Sequence, residues 1–218
     1  MRSLRACGAA LGCLLMLSCS AAYAGAQIYE PMSASVQAAL SKAISDQAVP
    51  HLAFHTEAEA RSWLTVMSAR LAKRMPDQVA REEFLVTVHY EATRAGLDPQ
   101  LVLALIQVES AFRKYAVSSA GARGFMQVMP FWAELIGGTA EHNLFHLRTN
   151  LRYGCVILRH YLDIENGDLF RALGRYNGSL GRAPYPNTVL QAWTGSWGYS
   201  VRAVGVAQDT SKASATPM

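Results

Sequence analysis

The sequence predicts an all-α protein, and three observations lead to this class. Apolar residues recur about every 3.6 residues through most of the chain, as at Phe84, Val88 and Ala92. Helix-capping residues and helix breakers separate these stretches from one another. No stretch shows the two-residue alternation that is typical of a half-buried strand.

The composition limits what kind of protein this is. Of the 218 residues, 51% are apolar and 17% are charged, and the net charge is +4. These values exclude a disordered chain, a coiled coil and a disulfide-dense mini-protein. The length suits one well-filled core with an added helical layer. So small a net charge gives no reason to expect a nucleic-acid partner.

Residues 1–24 have the pattern of an export signal. Arg2 and Arg5 supply its positive start, and residues 9–17 supply its apolar run. The segment Ala22-Tyr23-Ala24 has the small-x-small form of a cleavage site. The apolar run is shorter than the roughly 20 residues that a membrane span needs. We therefore predict an exported, periplasmic protein.

Two alternatives to a cleaved signal stay open: an uncleaved membrane anchor and lipid attachment at Cys19. Lipid attachment is the weaker alternative, because the preceding Met16-Leu17-Ser18 lacks the leucine that usually stands three residues before the modified cysteine. Cleavage after residue 24 would leave Cys155 as the only cysteine, which excludes an internal disulfide. Its apolar neighbours predict that Cys155 is buried.

The chain divides into a helical lead-in (25–79), a main domain (80–195) and a C-terminal tail (196–218) that we predict to be disordered. Asp77 and Asp98-Pro99 mark helix starts, because Asp caps a helix and Pro suits its first turn. Asp168 caps a later helix in the same way. The predicted helices span 57–75, 77–95, 99–112, 125–129, 130–136, 149–164, 169–176, and a last one from 187 or 188 through 193.

Glu109 belongs to the apolar face of the helix that begins at Pro99. Val102, Leu105 and Ile106 precede it by helical spacings, so these side chains share one face with Glu109. Burial and the negative end of the helix dipole both raise the pKa of a carboxyl at this position. A carboxyl that stays protonated near neutral pH suits a general acid. The alternative is that Glu109 bends into water at the rim of this face.

A long composite motif begins at Glu109. The segment Glu109-Ser110-Ala111-Phe112 is followed by Ala116-Val117-Ser118, Gly121-Ala122-Arg123-Gly124 and Met126-Gln127-Val128-Met129-Pro130. In order and spacing, this resembles the soluble lytic transglycosylase family, whose lysozyme-like domain carries E-S-x-F, A-V-S, G-A-x-G and M-Q-x-M-P. Weaker blocks at 150–154 and 172–178 extend the resemblance over residues 80–195. The chain departs from the family pattern at Arg175, where Ala is usual, and at Gly178-Ser179, where Ala-Gly is usual.

The resemblance implies a lysozyme-like helical domain of the goose-type class and a set of site residues. Glu109 corresponds to the catalytic acid and base, Met129 to a groove residue, and Tyr176 to a tyrosine near the catalytic centre. The polar side chains suited to sugar hydroxyls and N-acetyl groups are Ser118, Gln127 and Asn177. Each residue except Glu109 also has a structural interpretation, as a cap or turn residue, a core residue or a packing residue.

The residues between 109 and 130 include one carboxylate, although most glycoside hydrolases use two. The resemblance implies that Glu109 acts twice on the bond between N-acetylmuramic acid and N-acetylglucosamine. It first protonates the glycosidic oxygen, and it then takes the proton of the C6 hydroxyl, which closes a 1,6-anhydro ring. The alternatives are a muramidase that hydrolyses the same bond and a non-catalytic wall-binding or assembly module.

Neither a metal nor a cofactor is predicted. His51 and His55 are four residues apart, as are His142 and His146, but no third ligand accompanies either pair. The predicted partner is the glycan strand of peptidoglycan, and we expect a monomer. The resemblance is also compatible with service to a secretion or conjugation machine, for which the sequence names no partner.

Overall fold

A computed structural model of the protein describes residues 27–137 and 141–200. Within these ranges the chain forms helices and two isolated antiparallel bridges but no strand, which confirms the all-α class. The predicted export signal (1–24) and residues 201–218 of the predicted tail lie outside the described residues. The helices are α1 (Ala34–Ile44), α2 (Glu57–Leu71), α3 (Gln78–Arg94), α4 (Pro99–Ser110), α5 (Phe131–Ile136), α6 (Leu147–Ile164), α7 (Leu169–Asn177) and α8 (Pro184–Gln191), with a 3₁₀ helix (Glu141–Phe145) before α6 and a π-helical turn (Ala192–Ser196) after α8.

Capping residues decide where several helices begin. Asp77, Asp98 and Asp168 each accept a hydrogen bond from a backbone N–H in the first turn of α3, α4 and α7 respectively. Thr56 begins α2 with a capping box, in which its side chain and that of Glu59 accept from each other's backbone N–H. These starts are local properties of the sequence, and the predictions at Asp77, Asp98 and Asp168 are confirmed.

The short helix predicted over 125–129 is wrong. Residues 124–127 form a turn, flanked by bridges that join Arg123 to Val117 and to Val128. Gly124 and Gln127 have left-handed backbone conformations (φ 77° and 49°), which a right-handed helix does not contain. Apolar residues cluster in this segment because the loop itself is buried, and their spacing imitates a helical turn.

The two ends of the described chain also differ from the prediction. The weakly patterned lead-in contains α1, which is capped by Ser33 and packs against α5 and α6. The last helix begins at Pro184 rather than at 187 or 188, because Pro suits the first helical turn. The tail boundary at 196 is corrected, since Trp197 is 1% exposed and donates a hydrogen bond to Gln107 of α4.

The core surrounds α4, which packs against α3, α8 and the π-helical turn, while α6 packs between α3 and α7. Residues 101–106 of α4 are all buried, and Cys155 of α6 is buried as predicted. A Cβ on Gly154 of α6 would lie 2.4 Å from Sδ of Met126, so glycine is needed for the loop after α4 to lie against α6. Within the described residues, no helix combines the length and hydrophobicity required to cross a membrane.

Candidate active site

Glu109 is buried in the last turn of α4. Its side chain is 4% exposed, and Val102, Leu105 and Ile106 on the same face are completely buried. Helical spacing thus places Glu109 in the interior, as expected, and the alternative that it bends into water is wrong. The helix ends directly after it, because Ala111 takes a left-handed conformation (φ 50°) at the C-cap.

The surroundings of the Glu109 carboxyl favour its protonated form. Burial raises the pKa of Glu109 to about 8, and a hydrogen bond from Tyr185 opposes this shift without cancelling it. The Tyr185 hydroxyl donates to Oε1 of Glu109. Oε2 is buried and has no hydrogen-bond partner among the residues that the structure describes. The arrangement therefore keeps a proton on this carboxyl near neutral pH and leaves one oxygen unengaged.

Tyr176 lies close to the same carboxyl. It is completely buried in α7, and its hydroxyl donates to the carbonyl oxygen of Met126 at 2.7 Å. Burial and, after it, the charge of Glu109 raise the pKa of Tyr176. Burial is also the largest cause of the raised pKa of Tyr185, followed by the charge of Glu109. Glu109, Tyr176 and Tyr185 thus form one acid–phenol cluster, contributed by α4, α7 and α8.

The loop of residues 116–129, which follows α4, is held by buried amide groups. Asn150 of α6 is completely buried, and its Oδ1 accepts from the backbone N–H of Met126 at 2.8 Å. Its Nδ2 donates to the carbonyl oxygens of Arg123 (2.8 Å) and Leu144 (2.7 Å). A Cβ on Gly124 would lie 2.4 Å from this Nδ2, so the close approach requires glycine. Asn150, the first residue of the block at 150–154, therefore holds the 116–129 loop against α6.

The predicted polar site residues occupy two kinds of environment. Ser118 is half-buried, and its Oγ accepts from the backbone N–H of Ala122 at 3.1 Å. Gln127 is 1% exposed, and its Nε2 donates to the carbonyl oxygens of Ala116 (3.1 Å) and Gly124 (2.8 Å). Both side chains thus stabilise the 116–129 loop. The donor group of Gln127 is engaged within the protein, so its side chain shapes the loop in this structure.

Met129 and Asn177 complete the predicted set. Met129 is half-buried at the end of the 116–129 loop. Asn177 is 6% exposed; its Nδ2 donates to Oγ of Ser179 at 3.0 Å, and its Oδ1 has no partner among the described residues. Arg175, a departure from the family pattern, forms ion pairs with Glu30 and Glu165.

Sequence reasoning missed Tyr185 and Gln27. Tyr185 lies 76 residues from the Glu109 that it contacts, and it stands between two prolines, a context that resembles a loop. Gln27 is 4% exposed, and its amide bonds to the backbone of Gln127 and Met129. No local pattern distinguishes either residue from an ordinary loop residue.

Other features of the described residues do not converge on Glu109. Two pockets flank α1, and Glu109, Tyr176 and Tyr185 line neither of them. No group of three or more His, Cys, Asp or Glu side chains in the described ranges could hold a metal ion. The acid–phenol cluster and the 116–129 loop are therefore the candidate active site.

The region of the chain that resembles known proteins includes the candidate active site. Residues 87–185 match the family model of the Transglycosylase SLT domain. A transglycosylase of Enterobacteria phage PRD1 is 33% identical over 112 residues, which cover 48% of this chain and 41% of the phage protein. Membrane-bound lytic murein transglycosylase C of Actinobacillus pleuropneumoniae serotype 5b (strain L20) is 47% identical over 53 residues, or 24% of this chain and 14% of that protein.

A solved structure, an inactive mutant of the lytic transglycosylase Slt from Pseudomonas aeruginosa, aligns with a TM-score of 0.42 and 22% identity. The alignment covers 62% of this chain and 25% of that one. The chain thus spans less than half the length of each of these three proteins. The matched segment begins in α3 and ends at Tyr185, so it contains the acid–phenol cluster and the 116–129 loop.

Proposed function

Residues 87–185 form a Transglycosylase SLT domain, and on this premise we propose that the protein is a peptidoglycan lytic transglycosylase. Its substrate would be the β-1,4 bond between N-acetylmuramic acid and N-acetylglucosamine. The observation that carries the proposal is the buried carboxyl of Glu109, whose pKa is raised to about 8 without an ion-pair partner in the described residues. Such a group supplies a proton near neutral pH.

In the first step, Glu109 acts as a general acid. Oε1 of Glu109 already accepts a hydrogen bond from Tyr185. The other oxygen, Oε2, has no partner among the described residues and is therefore suited to carry the proton. Transfer of this proton to the glycosidic oxygen breaks its bond to C1 of the muramic acid and releases the N-acetylglucosamine hydroxyl. Positive charge then develops at C1, and Glu109 is left as a carboxylate that Tyr185 stabilises.

In the second step, the same carboxylate acts as a base. It removes the proton of the muramic acid C6 hydroxyl, and the C6 oxygen attacks C1 to close a 1,6-anhydro ring. The proton taken from the C6 hydroxyl regenerates the acid form of Glu109, while the proton donated in the first step stays on the released N-acetylglucosamine hydroxyl, so no water is consumed. One carboxyl suffices for both steps, which accords with the single carboxylate between residues 109 and 130.

The products of digestion test this proposal. Purified full-length protein is incubated with isolated peptidoglycan sacculi, and the soluble fragments are analysed by mass spectrometry. We expect fragments that end in 1,6-anhydromuramic acid, each one water lighter than a hydrolysed end. Hydrolysed ends alone would identify a muramidase, and an absence of fragments would favour a non-catalytic wall-binding module.

Glu109→Gln tests the acid directly. The amide keeps the shape of the side chain but cannot supply the proton, so we expect the rate of fragment release to fall by roughly 10²–10⁴-fold. Glu83→Gln is the matched control, because Glu83 is exposed on the neighbouring α3. If Glu109→Gln digests sacculi as fast as the control, the assignment of Glu109 is wrong.

We further propose that residues 1–24 export the protein to the periplasm, where its substrate lies. Fractionation of cells that express the full chain tests this. A periplasmic protein with its N terminus at residue 25 is expected, whereas retention in the membrane fraction would indicate an uncleaved or lipid-modified anchor.

A further inference from the structure

The described chain begins with a short segment, residues 27–32, that lies against the candidate active site. Nε2 of Gln27 donates to the carbonyl oxygen of Gln127 at 3.2 Å, and its Oε1 accepts from the backbone N–H of Met129 at 3.2 Å. One side-chain amide therefore bonds two backbone groups that lie 100 and 102 residues further along the chain. Since Gln27 is 4% exposed, these bonds are shielded from water.

The hydrogen bonds of Gln27 hold residues 127–129 of the 116–129 loop, where the backbone adopts an unfavourable conformation. Gln127 has a left-handed backbone (φ 49°), which a residue with a side chain rarely adopts unless its surroundings impose it. The Gln127 carbonyl and the Met129 N–H flank Val128, whose own backbone groups bond to Arg123. Gln27 thus supports the edge of the loop that the bridge to Arg123 does not reach.

Gln27 also lies beside the acid–phenol cluster. Burial raises the pKa of Tyr176, and the Gln27 side chain slightly opposes this shift. The Tyr176 hydroxyl in turn donates to the carbonyl oxygen of Met126 in the 116–129 loop. Gln27 and Tyr176 therefore bond to the backbone of the same stretch of this loop, residues 126–129.

Contacts outside the site fix the segment that carries Gln27. Glu30 pairs with Arg175 of α7 at 2.8 Å, and Arg175 also pairs with the carboxylate of Glu165. The ring of Tyr29 packs edge-on against Phe131 of α5, with centroids 5.8 Å apart. An ion pair and an aromatic contact therefore hold the segment across α5 and α7.

We propose that Gln27 is a positioning residue of the active site, which sets the position of Gln127 and Met129 for substrate. The inference rests on the proposed function, because it assigns the 116–129 loop to the glycan-binding groove. Residues 27–32 lie outside the segment that matches the family model. The groove is then completed by a part of the chain that precedes the SLT domain.

Gln27→Ala in the full-length protein tests this inference. Soluble peptidoglycan glycan fragments serve as substrate, and kcat and KM are measured together with Tm. Loss of both bonds frees the loop, so we expect KM to rise about tenfold while Tm changes little. We also expect the backbone amide of Met129 to exchange its hydrogen about tenfold faster, since that amide loses its acceptor. Gln47→Ala is the control, because Gln47 is exposed and its amide donates to Ser45, two residues before it.

Gln27→Met keeps the length of the side chain but removes the amide. Methionine has no donor and only a weak acceptor, so we expect the same rise in KM and the same fast exchange at Met129 as in Gln27→Ala. An unchanged KM in Gln27→Ala overturns the proposal. So does a fall in kcat and Tm at constant KM, because a purely structural defect lowers the active fraction without weakening substrate binding.

The outcome is distinguishable from failure of the proposed function. If the wild-type protein releases no fragments from peptidoglycan, the lytic transglycosylase assignment fails and the role of Gln27 in that reaction fails with it. Hydrogen exchange at Met129 still decides whether Gln27 holds the loop, because that measurement requires no activity. If the wild type is active and Gln27→Ala matches Gln47→Ala, only the positioning role is overturned.

Discussion

Two buried glutamates on neighbouring helices have opposite surroundings. Glu91 of α3 is completely buried, and it contacts Arg94 (3.1 Å), Arg148 (3.1 Å) and Arg152 (3.0 Å). Glu109 of α4 is 4% exposed, and among the described residues its carboxyl hydrogen-bonds only to Tyr185. Comparable burial therefore produces an ion-pair cluster in one helix and an isolated acid in the next.

The difference shows how burial can serve either structure or chemistry. Arg148 and Arg152 also bond to the carbonyl oxygens of Ala48 and Ile44, so the Glu91 cluster fastens the end of α1 to α3 and α6. Among the described residues, Glu109 forms no ion pair that joins helices in this way. Because no cation lies beside it, burial keeps its carboxyl protonated near neutral pH. The partners, rather than the depth of burial, determine what a buried carboxyl does.

Removing the charge of Glu91 is expected to cause the largest loss of stability. Glu91→Gln removes the buried anion of the cluster and leaves Asp46, at 3.2–3.9 Å, as the remaining anion for Arg94, Arg148 and Arg152. The free energy of unfolding should fall by about 3 kcal/mol, the lower end of the cost of breaking a buried ion pair. Chemical denaturation at neutral pH measures this change. Glu57→Gln is the control, because Glu57 pairs with Arg61 at a side-chain exposure of 88%. If Glu91→Gln loses no more stability than the control, the Glu91 ion-pair cluster does not stabilise the fold.

The corresponding change at Glu109 should have the opposite sign, and its size should depend on pH. Folding raises the pKa of Glu109 from 4.5 to about 8, so between these pH values the folded state binds more protons than the unfolded state, and stability falls as pH rises through this window. Glu109→Gln removes this loss, and we expect the variant to exceed the wild type by about 5 kcal/mol at pH 9 and by less than about 1 kcal/mol at pH 5. Denaturation at both pH values tests this, with Glu83→Gln as control. Equal differences at both pH values would mean that Glu109 titrates like an exposed carboxyl.

Removing the Tyr185 hydroxyl is expected to have the smallest effect, a change in the pKa of Glu109. The hydrogen bond from Tyr185 lowers the pKa of Glu109, so Tyr185→Phe should raise that pKa further. In the pH profile of activity, the decline at alkaline pH should then occur at higher pH, because Glu109 stays protonated to a higher pH. Tyr115→Phe, at an exposed tyrosine, is the control. An unmoved decline would show that Tyr185 does not tune the acid.

Most of the fold could be predicted from the sequence because its determinants are local. Caps at Asp77, Asp98 and Asp168 set helix starts, and the spacing from Val102 to Glu109 placed the carboxyl on a buried face. The prediction over 125–129 was wrong because burial of a loop produces the same apolar spacing as a helix. The catalytic role of Glu109 stays a prediction. So do the substrate-binding roles of the other predicted site residues, Ser118, Gln127, Met129, Tyr176 and Asn177.

Residues within a few turns of one another specify most helix starts, the buried position of Glu109 and the motif around it. The partners of that carboxyl and of its loop depend on how distant parts of the chain pack together. Tyr185 reaches Glu109 across 76 residues, and Gln27 reaches Gln127 across 100. Such contacts depend on how helices pack against each other, and the periodicity of a single helix carries no information about them.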